Sequence, residues 1–306
     1  MRKACLSEIY GLAKRDERVL FFGSDLGSGT LSEFKREIPD RFFMEGIAEA
    51  NIIGVMSGLA MNGKIPYLNA IAVFLTRRCY EQALLDAAMQ NLKIRLIGSG
   101  GGLVYAPLGP THIAFEDMAL MRAIPNMTVV APCDAEEMKR LMPLTLDYDG
   151  PMYIRLGKGG DPIVSPPEKP FVIGKAISVT EGKDALIVST GIMLKEALDA
   201  SYALKEKGIS AAVLHMHTLK PIDAETLLKK ASGAKAVVTV EEHSAVGGLG
   251  CAVAELILEA GLGSKKFKKL AIPDTYPNLY GSQELLLERY GLKSADITQA
   301  VLELLR

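Results

Sequence analysis

Short runs of β-branched and aromatic residues alternate with helical periods along almost the whole of this chain. Val19-Leu20-Phe21-Phe22, Ile65-Pro66-Tyr67-Leu68, Ile94-Arg95-Leu96-Ile97 and Thr128-Val129-Val130 read as strands buried on both faces. Between them the spacing predicts helices near 47–61, 79–91, 114–123 and 134–146, punctuated by Pro125-Asn126 and Pro132. A strand with no solvent face needs a layer on each side, and an intervening helix joins parallel neighbours. The expected class is α/β, with doubly wound, parallel sheets.

The clearest boundary is Ser165-Pro166-Pro167-Glu168-Lys169-Pro170, where three prolines in six residues can continue neither a helix nor a central strand. The alternation then restarts. Ala185-Leu186-Ile187-Val188, Ser210-Ala211-Ala212-Val213-Leu214 and Ala236-Val237-Val238-Thr239-Val240 read as strands, with helices running to Lys207, near 224–231 and from Gly250 to Ala260. Ser294 is the expected N-cap of a last helix. At 306 residues the chain is long enough for two full cores. The expected division is a first domain over 1–164, a linker over 165–170 and a second domain over 171–306.

With 49% hydrophobic residues, 23% charged residues and a formal net charge of −1, there is no electrostatic reason to expect nucleic acid or a membrane surface as partner. Cys5, Cys79, Cys133 and Cys251 are far apart, without zinc spacing, and read as free, mostly buried thiols in a reducing compartment. Charges at Arg15, Asp16, Glu17 and Arg18 argue against a signal peptide, and the apolar stretch from Ile47 to Met61 is too short to span a bilayer. The expected location is cytoplasmic.

Against this background a few segments carry chemistry. Glu49, in Gly46-Ile47-Ala48-Glu49, falls within a segment that otherwise reads as a buried helix, with Ile47, Ile52, Val55, Met56 and Leu59 around it. A buried carboxylate is costly unless a partner meets it, so Glu49 either bridges to a cation for packing or handles protons in a site. Ser24-Asp25-Leu26-Gly27-Ser28-Gly29 directly follows the first strand, where α/β sheets bind ligands, but it also suits an Asx turn. Gly98-Ser99-Gly100-Gly101-Gly102 lacks a dinucleotide fingerprint and does not open a helix, although its backbone could approach a ligand closely. Phe74 precedes Arg77-Arg78 and suits either core or a ligand platform. His112 lies in a loop stiffened by Pro107 and Pro110, whereas His215 and His217 read as packing or supporting groups and His243 as a loop residue. Arg155, followed by Gly157-Lys158-Gly159-Gly160, suits an anion or is a surface strand end.

Taken in order, Ser24-Asp25-Leu26, Gly46-Ile47-Ala48-Glu49, Phe74-Leu75, Gly109-Pro110-Thr111-His112, Arg155 and Val240-Glu241-Glu242 resemble the transketolase family. More closely, the chain is similar to the pyrimidine-binding and C-terminal domains shared with deoxyxylulose-phosphate synthase, over essentially its full length. The resemblance implies thiamine diphosphate with Mg2+ or Ca2+ as cofactors. It implies that Glu49 bonds N1′ of the aminopyrimidine and relays a proton towards C2, that Phe74 stacks on that ring, and that Ile71 and Arg77 flank it. It places Asp25 near the thiazolium, His112 facing the substrate, and Arg155 on a substrate phosphate.

The Gly-Asp-Gly segment that holds the diphosphate and cation in this family has no counterpart; Gly160-Asp161-Pro162 is the nearest. The expectation is therefore a divided transketolase. A partner subunit supplies the pyrophosphate and metal domain, this chain supplies no metal ligand, and two copies pair within an α2β2 assembly acting on small sugars. Leu108 stands where the family carries a sugar-reading aspartate, and Gly100 replaces a substrate-side histidine, so the standard pentose phosphates are not expected. A 2-oxoacid dehydrogenase β subunit, a synthase-like decarboxylating enzyme and a non-catalytic assembly subunit are the alternatives.

Overall fold

The computed structural model describes residues 1–23, 31–277 and 280–306. The strands are β1 (Val19–Gly23), β2 (Phe42–Met44), β3 (Ile65–Ile71), β4 (Arg95–Ser99), β5 (Thr128–Val130), β6 (Met152–Leu156), β7 (Ile177–Thr180), β8 (Ala185–Ser189), β9 (Ala211–His215), β10 (Thr218–Lys220), β11 (Ala236–Ser244) and β12 (Lys266–Ile272). They form a seven-stranded sheet in the order β10-β5-β6-β4-β3-β1-β2 and a five-stranded sheet in the order β12-β11-β8-β9-β7. All pairings are parallel except β10 on β5 and β7 on β9.

The expected two α/β units are present, and successive side chains explain their layering. Leu20 and Phe22 of β1 face Ile52, Ile53 and Met56 of the Glu49–Met61 helix, while Val19 and Phe21 face Leu6, Ile9 and Leu12 on the other side. Those last residues belong to the Arg2–Arg15 helix, whose apolar stripe at Cys5, Leu6, Ile9, Leu12 and Ala13 lies among its charges. Ser294 is the first residue of the last helix rather than its cap; Lys293 takes the cap position, and its N–H donates to Asp296 (3.0 Å).

The proline-rich segment follows the point where the chain leaves the first sheet, but one later strand returns to that sheet. Thr218–Lys220 returns from the second half to pair with β5, and one apolar cluster runs from Leu68 and Val129 to Leu186 and Val188. The carboxyl ends of β8, β9 and β11 therefore meet the first unit instead of solvent. Backbone bonds Ala131 N–H to His217 (2.7 Å) and Gly191 N–H to Ala131 (3.1 Å) hold that contact. Among the described residues no helix is long and apolar enough to cross a membrane.

Candidate active site

The carboxyl edge of the first sheet gathers several of the residues singled out from the sequence. Glu49 is the first residue of its helix, where the backbone dipole favours an anion, and it is 1% exposed. The packing around it differs from expectation. Ile47 and Val55 are 73% and 46% exposed, so they do not shield the carboxylate; Ile52 and Met56 are buried. The cation that meets Glu49 is Arg78, whose Nη1 donates to Oε2 at 2.9 Å. Arg78 is itself 45% exposed, so the pair is open on one side.

β3 ends at Ile71 in an extended conformation, and the Ala72–Thr76 helix begins at once, lifting Phe74 over the sheet edge. The Arg78 guanidinium carbon lies 4.1 Å from the centre of the Phe74 ring. His112 meets the same ring edge-on, with centroids 5.4 Å apart and planes at 71°, and its Nδ1 is 2.9 Å from Thr111 Oγ1. Ile71, Phe74 and Ala114 form a small apolar cluster beneath them. Glu49, Phe74, His112 and Ile71 thus share one corner, with Arg78 across it.

Arg77 faces the other way. Its guanidinium pairs with Glu116 and donates to the carbonyls of Ile113 (2.8 Å) and Pro110 (3.3 Å), fastening the loop that carries His112. Asp25 lies outside the described residues. Gly100 has φ +75°, and a side chain there would collide with the Tyr105 ring, so that ring covers the place where the family has a histidine. Leu108 is exposed on the adjoining turn Ala106–Leu108.

Arg155 lies at the junction of the two units rather than at a surface strand end. It is buried, and its Nε donates to Asp117 (2.9 Å) while Nη2 donates to the carbonyls of Glu242 (2.8 Å) and Ala114 (3.3 Å). A guanidinium bonded in this way through Nε and Nη2 holds the two units together. The exposed cation at the end of β6 is Lys158. His243 is likewise a junction residue, not a loop residue: its buried Nε2 accepts from the Ala119 N–H (3.2 Å) and its Nδ1 donates to the Ser244 carbonyl (2.9 Å).

Glu242 ties this junction to the glycine-rich loop. Its Oε1 accepts from the Leu103 N–H (2.9 Å) and Gln283 Nε2 (2.7 Å), and at Gly102, with φ +68°, any side chain would strike its carboxyl group. Burial pushes its pKa up from 4.5 to about 7, against the opposing pull of Arg155 and the two donors. Between those values the folded chain binds a proton that the unfolded chain has lost, so this group lowers stability as pH rises. Buried His217, held neutral with its pKa lowered to about 3 by desolvation, acts in the opposite sense between that value and 6.5. The contribution of Glu242 is isolated as a difference. The stability advantage of Glu242→Gln over the parent should grow from pH 4.5 to 7 and then level, reaching on the order of 3 kcal/mol in urea unfolding at matched pH. A difference that does not vary with pH would contradict this account.

A parallel α/β layer with an ionisable corner at its carboxyl edge is the layout of a ligand-binding enzyme domain. The chain belongs to the transketolase family: residues 1–160 match the model "Transketolase, pyrimidine binding domain" and residues 174–297 match "Transketolase, C-terminal domain". It is similar to the 6-deoxy-6-sulfo-D-fructose transketolase subunit SqwH of Clostridium sp. (strain MSTE9), 37% identical over 95% of this chain and 90% of that one. It is 35% identical to a subunit of the apulose-4-phosphate transketolase of Phocaeicola vulgatus, over 100% and 97% of the two chains. The 1-deoxy-D-xylulose-5-phosphate synthase of Symbiobacterium thermophilum is 38% identical, with 96% of this chain matching 46% of that longer one. A solved structure described as a split gene transketolase, inactive beta4 tetramer, superposes with a TM-score of 0.89 at 38% identity, covering 99% of this chain and 97% of that one. Membership makes the chain a transketolase-like transferase subunit and implies use of thiamine diphosphate.

Proposed function

We propose that this chain is the pyrimidine-binding subunit of a two-chain transketolase, moving a two-carbon ketol unit from a ketose to an aldehyde acceptor. The partner subunit supplies the diphosphate-binding and metal-binding domain, with Mg2+ or Ca2+, and two copies of each chain assemble as α2β2. The observation that carries this reading is the place of Arg78. A planar, N–H-bearing cation stacks on Phe74 and donates to Glu49 Oε2, the two contacts an aminopyrimidine ring needs here. The donor and stacking set therefore fits the ring.

Thiamine diphosphate, when bound, supplies the chemistry that breaks the bond beside a ketone and stores the released electron pair. Glu49, buried at its helix start, accepts the ring N–H and holds or returns its proton. Phe74 sets the plane of the ring and Ile71 closes its apolar side. His112, edge-on to Phe74, is placed to exchange a hydrogen bond with a substrate carbonyl or hydroxyl. Arg77 is a positioning residue, because it fixes the loop bearing His112. Asp25 is assigned to the thiazolium side on the resemblance alone.

Arg155 is bonded at the junction through Nε and Nη2, and the exposed Lys158 nearby is the residue we assign to an anionic group on the ketose. Two relatives, one named for a sulfo-sugar and one for a sugar phosphate, support an anionic substrate. The purified chain alone should show no ketol transfer, and mixing it with the diphosphate-domain subunit should restore turnover. Full activity without that subunit would refute the proposal. The identity to deoxyxylulose-phosphate synthase favours a decarboxylating second reading. Release of carbon dioxide from pyruvate by the mixed subunits, without ketol transfer, would select it.

A further inference from the structure

Away from the active corner, three elements converge on a buried point between the two units. Cys133 follows β5, Glu137 lies in the first turn of the Ala135–Leu141 helix, and His215 is the last residue of β9. All three are buried, and a sulfur, a carboxylate oxygen and a ring nitrogen from them lie within 4.8 Å of one another. We propose that Cys133, Glu137 and His215 form a site for a divalent transition metal, best suited to Zn2+, that clasps the first unit to the second.

The donor set argues for this metal class. Thiolate with imidazole selects zinc and its neighbours over magnesium or calcium, which prefer all-oxygen sites. Charge agrees: thiolate, carboxylate and a neutral imidazole balance a divalent ion, so the filled site buries no net charge. Spacing agrees as well, since bonds of ~2.0–2.3 Å place tetrahedral ligand atoms roughly 3.3–3.8 Å apart, so from separations within 4.8 Å the adjustment is at most about 1.5 Å.

The hydrogen bonding of the cluster points the same way. Glu137 Oε2 already accepts from His215 Nε2 (3.0 Å) and the Cys133 N–H (2.7 Å). Among the described residues Glu137 Oε1 and His215 Nδ1 are buried with no partner, which is costly for both groups. Asp134 beside them accepts from the Glu136, Glu137, Val164 and Ser165 N–H groups and from the Cys133 thiol (3.6 Å), and only the thiol contact has to give way to a metal. Metal entry breaks the Cys133 S–H bond, forms the metal–sulfur bond and releases the proton to solvent, with no change of oxidation state.

The full chain, stripped with a chelator and dialysed against Zn2+, is expected to retain one ion. Cys133→Ser and His215→Gln should each weaken retention by at least about tenfold. Failure of the parent chain to retain zinc would overturn the proposal, and so would retention that both variants leave unchanged, because the ion would then sit elsewhere. Co2+ gives a test that needs no folded variant at this site. A thiolate-to-cobalt charge-transfer band is expected in the parent and should persist in Cys251→Ala, which removes the half-exposed thiol. Absence of the band in the parent, or its loss in Cys251→Ala, would likewise overturn it.

Discussion

Glu49→Gln, assayed in the complex reconstituted with the diphosphate-domain subunit, is expected to lose about 10²–10⁴-fold in kcat, the range supplied by a positioned proton-transfer group. Glutamine keeps the shape of the side chain and can still accept from Arg78, but it cannot hold and return a proton. The fold should hardly notice. Arg78 is 45% exposed and is free to turn to water, and an ion pair open to solvent contributes only ~0–1 kcal/mol. An unfolding midpoint near that of the parent beside a collapsed kcat therefore separates chemistry from structure. If kcat were unchanged, the Arg78 contact would be all that Glu49 provides, and the carboxylate would be a packing group at a helix start.

The strand–helix alternation is legible in the sequence because central strands are long, apolar and local. The edges are not. Lys266-Phe267-Lys268-Lys269 in β12 reads as a charged surface run, and lysines on an edge strand guard it against pairing with another chain. β10 is only three residues long and joins the first sheet from the second half of the chain, a non-local pairing that no periodicity announces. The same distinction divides the site. Glu49, Phe74 and His112 can be read in order because each sits at or just beyond the end of a local strand–helix unit. Arg78 is adjacent in sequence, yet its pairing is hidden there, since the direction of a side chain depends on how the Ala72–Thr76 helix turns. The junction bonds of Arg155 are hidden because its partners lie 38 and 87 residues away, in another helix and another sheet. Cys133 and Glu137, four apart at a helix start, gain a metal-ligand geometry only when β9 delivers His215 from 78 residues beyond Glu137.

The two accounts of Arg155 predict opposite outcomes for one substitution. A residue that grips a substrate anion leaves stability almost unchanged when replaced by methionine and raises KM. A junction residue does the reverse. Arg155 and Asp117 are both buried, Tyr153 Oη also donates to Asp117 Oδ2 (2.7 Å), and Asp117 Oδ1 has no partner among the described residues. Removing the guanidinium leaves an uncompensated carboxylate in the interior and three acceptors short of a donor, a loss that costs about 3–5 kcal/mol. Arg155→Met should therefore lower the unfolding midpoint in urea strongly, with KM of the surviving folded complex little changed. The double variant Asp117→Asn with Arg155→Met should recover part of that loss, because the stranded charge is gone, and the cycle should return a coupling of at least about 1 kcal/mol. A variant as stable as the parent but with a raised KM would restore Arg155 to the substrate and remove it from the junction.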